Sequence, residues 1–144
     1  MTSKQSTDKE HDLRKMRDSC LMAELHRKMR DPRLRHMSYT ELLWAAAASP
    51  APSFFITYDY AMRVWNLHCK GRLRLGDSVN SSKWTEIITR VSRLVEQRGV
   101  PPREAVARVI AQPAPSYYLK PDSAAKAFRR LRHRRKTASE TRDF

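Results

Sequence analysis

The sequence predicts an all-α protein built from two tandem three-helix units that are related by internal duplication. One motif, Pro-Ala-Pro-Ser followed by two aromatic residues, occurs at 50–55 and again at 113–118, which is 63 positions later. Apolar residues recur at helical spacing on both sides of each copy. The 144 residues include only three glycines, so the chain is poor in the tight turns that a sheet requires.

The similarity between the two halves extends beyond the shared motif. At the same offset of 63 positions, size and polarity are kept in pairs of residues: Glu41 and Glu104, Ala48 and Ala111, Asp59 and Asp122, Ala61 and Ala124, Arg63 and Lys126, and Trp65 and Phe128. A match of this extent indicates a repeat rather than a shared turn.

Two helices are predicted before each motif. A long amphipathic helix covers 9–30 in the first unit and 82–98 in the second, where Ser82 is the predicted N-cap. A shorter helix follows at 39–49 and at 101–112, and proline suits the first turn of the latter. The shorter helix of the first unit has Ser38 as a predicted N-cap, with Glu41 completing a capping box.

A third helix is predicted after each motif. Pro50 and Pro113 stop the preceding helices, because a residue before proline avoids the helical conformation. The next helix starts after Thr57, a suitable N-cap, and near Pro121, a suitable first helical residue. The predicted segments are a disordered N-terminus 1–8, a first unit 9–70, a linker 71–80, a second unit 81–136 and a disordered tail 137–144.

The charge of the chain predicts a polyanionic partner. Lys and Arg number 29 against 15 Asp and Glu, which gives a net charge of +14. Nucleic acid is the most common partner of such a chain, an acidic membrane surface is the second, and a solvated surface is the alternative without a partner. No apolar run approaches the roughly 20 residues of a transmembrane helix, so we expect no membrane-spanning segment. We favour nucleic acid over a membrane as the partner and expect a cytoplasmic location.

The order of helix, connector and helix, with another helix behind, resembles the helix-turn-helix plan, in which the last helix enters the major groove. The predicted nucleic-acid contacts come from both third helices, from the linker and from the basic run at 129–136. They are Arg63, Asn66, Lys70, Arg72, Arg74, Lys126, Arg129, Arg130, Arg132, Arg134, Arg135 and Lys136, with His133 beside them. The connector has two prolines instead of a tight glycine turn, so plain helical bundles with solvated faces remain an alternative.

Two further features have both a structural and a binding interpretation. Ser53 and Ser116, at matching positions, either position a phosphate or bond to the neighbouring backbone, which is the more common role of such serines. The aromatic pairs either stack on bases or anchor the connectors to the core, and the anchoring role is favoured. The basic run binds phosphate without sequence preference, whether it is helical or a tail.

No catalytic residue, metal site or cofactor is predicted. His68 and Cys69 are adjacent, but no second pair completes a metal site, and no nucleophile is accompanied by a base. A catalytic site assembled from distant residues stays open as an alternative. Cys20 and Cys69 do not form a disulfide framework, which suits a reducing compartment.

The sequence therefore predicts a protein that binds duplex DNA through paired basic helices. One alternative is a component of a ribonucleoprotein, and another is an adaptor for an acidic protein partner. The first long helix has an apolar stripe that either belongs to the core or forms a homodimer through 9–30. The stripe consists of Met16, Leu21, Met22, Leu25 and Met29.

Overall fold

The structure is a computed structural model that describes the backbone of residues 2–76 and 78–142. The side chains are described for 9–76, 78–120 and 122–133. The described residues form helices and no strands, which confirms the all-α prediction. Within this described part of the chain lie six α-helices, α1 (Thr2–Met29), α2 (Tyr39–Ala48), α3 (Tyr58–Cys69), α4 (Val79–Arg98), α5 (Pro102–Ile110) and α6 (Pro121–Arg142), with a 3₁₀ turn at Pro32–Leu34.

The helix starts follow the capping chemistry of the sequence. The Ser38 hydroxyl accepts a hydrogen bond from the Glu41 amide at 3.2 Å, and the Glu41 carboxylate accepts one from the Ser38 amide at 3.2 Å. The Thr57 hydroxyl caps α3 through the Tyr60 amide, and Pro121 opens α6. The predicted caps of α2 and α3 and the predicted start of α6 are confirmed.

One predicted helix start differs from the structure, and the backbone at both ends of the chain is described as helix. Helix α4 is capped by Ser78 rather than Ser82, because Ser78 and Ser81 form a reciprocal capping box one turn earlier. The sequence predicts disorder at 1–8 and 137–144, whereas α1 begins at Thr2 and α6 extends to Arg142. The polar residues at both ends permit a helix to continue past its packed part. Met1 and residues 143–144 lie outside the described residues.

The two Pro-Ala-Pro-Ser connectors pass each other in antiparallel orientation. Ala51 and Ala114 exchange two backbone hydrogen bonds of 2.9 Å each, and both residues are buried. Phe55 and Tyr118 occupy the left-handed region with φ of 55° and 50°. The two connectors therefore have the same local structure and meet at equivalent residues.

The helix contacts differ from the predicted grouping into units 9–70 and 81–136. Helix α3 packs mainly against α5, and α6 packs against α2 and α1, while α1 also contacts α2 and α4 contacts α5. Each half thus receives its third helix from the other half. The physical reason is the extended connector, which crosses its counterpart at Ala51 and Ala114 and carries the following helix away from the preceding one.

One connected core lies between these helices. Its most deeply buried side chains include Leu25 of α1, Val91 of α4, and Val106 and Val109 of α5. Asp18 is the one charged side chain in the described residues that is fully buried. It lies on α1 at the same helical phase as Leu21 and Leu25, so α1 buries a carboxylate together with its apolar residues.

Candidate nucleic-acid interface

Helix α3 has one buried face and one exposed polar face. Ala61, Val64 and Trp65 are buried against the core. The α3 stripe consists of Arg63, Asn66 and Lys70, which are exposed and spaced i, i+3, i+7 along one face.

Helix α6 has an equivalent exposed face. Ala124 and Ala127 are buried, whereas the α6 stripe, Lys126, Arg129 and His133, is exposed. Each residue of the α6 stripe lies 63 positions after a residue of the α3 stripe. Sequence-predicted contacts on the two helices therefore have the same spacing and the same exposure.

Arg130 has a different role from its neighbour Arg129. The Arg130 guanidinium donates to the buried Asp18 carboxylate, with Nη2–Oδ2 of 3.1 Å and Nε–Oδ2 of 3.3 Å. Arg17 donates to the other oxygen of Asp18 at 3.1 Å. The contact joins α6 to α1, so the Arg130 guanidinium is already engaged in holding the fold. The sequence offers one signal for it, since Asp18 shares the i, i+3, i+7 spacing of the core residues on α1.

The remaining predicted contacts lie outside the two stripes. Arg72 and Arg74 are exposed in the loop between α3 and α4, where the intervening Leu73 packs against the core. The Arg132 guanidinium lies 5.9 Å from the Phe128 ring centroid. The side chains of Arg134, Arg135 and Lys136 fall outside the described residues, although their backbone belongs to α6.

Ser53 and Ser116 bond to the backbone of their own connectors. The Ser53 hydroxyl accepts from the Phe55 amide at 3.1 Å, and the Ser116 hydroxyl accepts from the Tyr118 amide at 3.0 Å. Both acceptors hold a residue with positive φ in place, which is a local structural role. Phosphate positioning by these serines stays a prediction.

The aromatic pairs anchor the connectors, as predicted. Phe54 stacks on Tyr118 and Phe55 stacks on Tyr117, with ring centroids 6.3 and 6.2 Å apart. Phe54 and Tyr117 are buried. Burial raises the pKa of Tyr117 to about 12. These rings contact each other, and two of the four lie in the core.

An aromatic groove between α2 and α6 was not predicted. It has a volume of about 320 Å³, and 49% of Trp44 and 44% of Tyr39 are exposed. Asp122, Arg129 and Arg132 lie at the same groove. Burial raises the pKa of Tyr39, and the charge of Arg132 opposes the shift.

Helical phase is the signal that identifies Trp44. Leu42, Leu43, Ala46 and Ala47 are buried at i, i+1, i+4, i+5, and Trp44 falls outside that set. A large aromatic residue beside the core face, rather than on it, is a candidate for a binding surface.

The apolar stripe of α1 serves mainly the core. Leu21, Met22 and Leu25 are buried, whereas Met16 and Met29 are exposed. A homodimer through this helix stays a prediction. Within the described residues, no helix has the length and apolar character needed to cross a bilayer, and no three His, Cys, Asp or Glu side chains are grouped as metal ligands.

No protein-family model, curated protein or solved structure matches the chain. The functional inference therefore depends on the chain's own residues and their arrangement.

Proposed function

We propose that the protein binds duplex nucleic acid, and DNA in preference to RNA, through the α3 and α6 stripes. The observation that carries the proposal is the pair of equivalent exposed stripes in a chain of net charge +14. Such a protein acts in the cytoplasm as a regulator, an accessory factor of a mobile element or a chromosome-associated protein.

Phosphate binding by these stripes has a simple physical basis. Each cation that neutralises a phosphate releases condensed counterions, so affinity falls as the salt concentration rises. The stripes face away from the buried residues of their own helices, Val64 on α3 and Ala127 on α6, so contact with phosphate requires no rearrangement of the core. Arg129 adds the bidentate geometry that suits phosphate or guanine.

We also propose that the fold arose by duplication, and that the third helix of each copy packs against the other copy. Helices α2 and α5 begin 63 positions apart, as do α3 and α6. The reciprocal bridge between Ala51 and Ala114 supports an approximate twofold relation between the copies. Such an arrangement corresponds to a swapped homodimer fused into one chain. Two linked binding helices then gain affinity through effective concentration when both reach one duplex.

The test is binding to labelled duplex DNA, duplex RNA and single strands of the same sequence across a salt series. One variant neutralises the α6 stripe (Lys126→Gln with Arg129→Gln), and a second neutralises the α3 stripe (Arg63→Gln with Lys70→Gln). A matched control removes the same charge from exposed residues elsewhere, with Arg98→Gln and Arg103→Gln.

Duplex DNA should bind most tightly, and each stripe variant should weaken it. The slope of log affinity against log salt should become less steep by about 0.9 for each phosphate that is no longer neutralised. The control should change the slope by less than either stripe variant. Equal losses in all three variants would contradict the stripes as the interface. Preference for RNA would favour the ribonucleoprotein alternative, and weak binding to every nucleic acid near physiological salt would favour an acidic protein partner.

A further inference from the structure

We propose that the groove between α2 and α6 holds an unpaired base next to the duplex that the stripes contact. The inference rests on the proposed function and narrows its ligand to a duplex with a single-stranded extension or bulge. The feature that carries it is the placement of two exposed aromatic side chains, Trp44 and Tyr39, beside Arg129 and Arg132.

The chemistry of the groove suits a nucleotide. Aromatic side chains bind unpaired bases by stacking, and neighbouring arginines bind the phosphates that link those bases. The lining contains two guanidinium groups and one carboxylate, that of Asp122, so its net charge is positive. Binding sites for small ligands have volumes of roughly 300–1,000 Å³, and the groove of about 320 Å³ is at the lower end, which suits one base rather than a long segment.

Trp44 has the accessibility that stacking requires. Its indole borders the groove and also a second, apolar hollow of about 200 Å³ lined by Ala47, Val79 and Tyr118. Tyr39 is partly fixed by an edge contact with Phe128, whose ring centroid lies 5.4 Å away. A ring held in this way loses little conformational freedom when a base stacks on it.

The groove is continuous with the α6 stripe, because Arg129 belongs to both. A strand whose phosphates lie along Lys126 and Arg129 therefore passes the mouth of the groove. Bases within an intact duplex remain stacked on each other and do not reach Trp44. The base that enters the groove has to be unpaired.

The test compares a blunt DNA duplex with the same duplex extended by a short thymidine overhang. The overhang should strengthen binding by about tenfold, a value within the range that one stacked base contributes. Trp44→Ala should remove this gain and leave the affinity for the blunt duplex unchanged, and Trp44→Phe should restore part of it. Tyr58→Ala, at another exposed aromatic residue, is the matched control and should keep the gain.

Tryptophan fluorescence gives a second readout, because Trp44 is exposed while Trp65 and Trp84 are buried. The overhang duplex should quench the emission of the wild type more than that of Trp44→Phe. Equal affinity for blunt and overhang duplexes would overturn the inference, as would a gain that survives Trp44→Ala. So would quenching by an acidic Glu/Leu peptide but by no oligonucleotide. Failure of the proposed duplex binding is distinguishable from failure of this inference. If only the duplex binding fails, a thymidine single strand would still quench Trp44 emission while the blunt duplex bound weakly.

Discussion

Replacing Arg130 with methionine measures how strongly α6 is held to α1 by the Asp18 carboxylate. Asp18 is fully buried and accepts from Arg130 and Arg17 at 3.1 Å each. Removal of one partner from a buried pair costs about 3–5 kcal/mol, whereas an exposed pair contributes only about 0–1 kcal/mol. The Arg130 side chain is 37% exposed and Arg17 still contacts Asp18, so we expect an intermediate loss of about 2 kcal/mol.

The loss is measurable by urea and thermal denaturation. For a chain of this size, 1 kcal/mol lowers the melting temperature by roughly 2–4 °C, so Arg130→Met should lower it by roughly 4–8 °C. A double-mutant cycle with Asp18→Asn isolates the contact between the two side chains. The coupling energy should exceed about 1 kcal/mol, as expected for residues in one ionic network.

Arg129→Met is the matched control, because Arg129 is exposed on the adjacent position of the same helix. Its free energy of unfolding should change by less than about 0.5 kcal/mol, as for other exposed sites. Under the proposed function, Arg129→Met should instead weaken binding to duplex DNA. Similar stability losses for both variants, or additive energies for Arg130→Met and Asp18→Asn, would refute the buried ion pair as the anchor of α6.

Three other predictions test the connectors and the exchanged helices. Cleavage of the chain within 72–76 should leave both pieces together in size-exclusion chromatography, because α3 packs against α5, and α6 packs against α1 and α2. Separation of the pieces without denaturant would contradict this packing. Ser53→Ala and Ser116→Ala should each lower the free energy of unfolding by about 0.5–1.5 kcal/mol through loss of one hydrogen bond. Neither should alter the salt dependence of nucleic-acid binding, whereas a reduced slope would indicate a phosphate contact. Burial raises the pKa of Tyr117 from 10.0 to about 12. The neutral Tyr117 phenol therefore contributes its full stabilisation of the fold below pH 10.0, and this contribution is lost as the pH rises toward 12. Tyr117→Phe should flatten the decline in stability over that interval of an alkaline denaturation series, and an unchanged decline would contradict the shift.

The sequence predicts most of the local structure because the local chemistry is explicit. Ser38 with Glu41, Thr57 and Pro121 identify helix starts, and the buried faces follow the helical period. The surroundings of individual side chains could not be predicted as well from the sequence. The spacing of Asp18 on α1 indicates a buried carboxylate but does not say whether Arg129 or Arg130 is its partner. The position of α1 decides this by bringing Asp18 to Arg130. The groove at Trp44 likewise depends on which helix lies beside α2.

The packing of α3 against α5, and of α6 against α1 and α2, could not be predicted because the two halves of the sequence are similar. The core residues of α3 and α6 correspond closely: Ala61 with Ala124, and Trp65 with Phe128. Either helix therefore presents a similar face to α2 or to α5, and no local pattern separates the exchanged arrangement from the tandem one. The two halves meet at the connectors, which lie side by side and form the bridge between Ala51 and Ala114. Packing of the connectors against each other buries Phe54 and Tyr117 and stacks them on Tyr118 and Phe55, so the residues of the recurring motif also join the two halves of the chain.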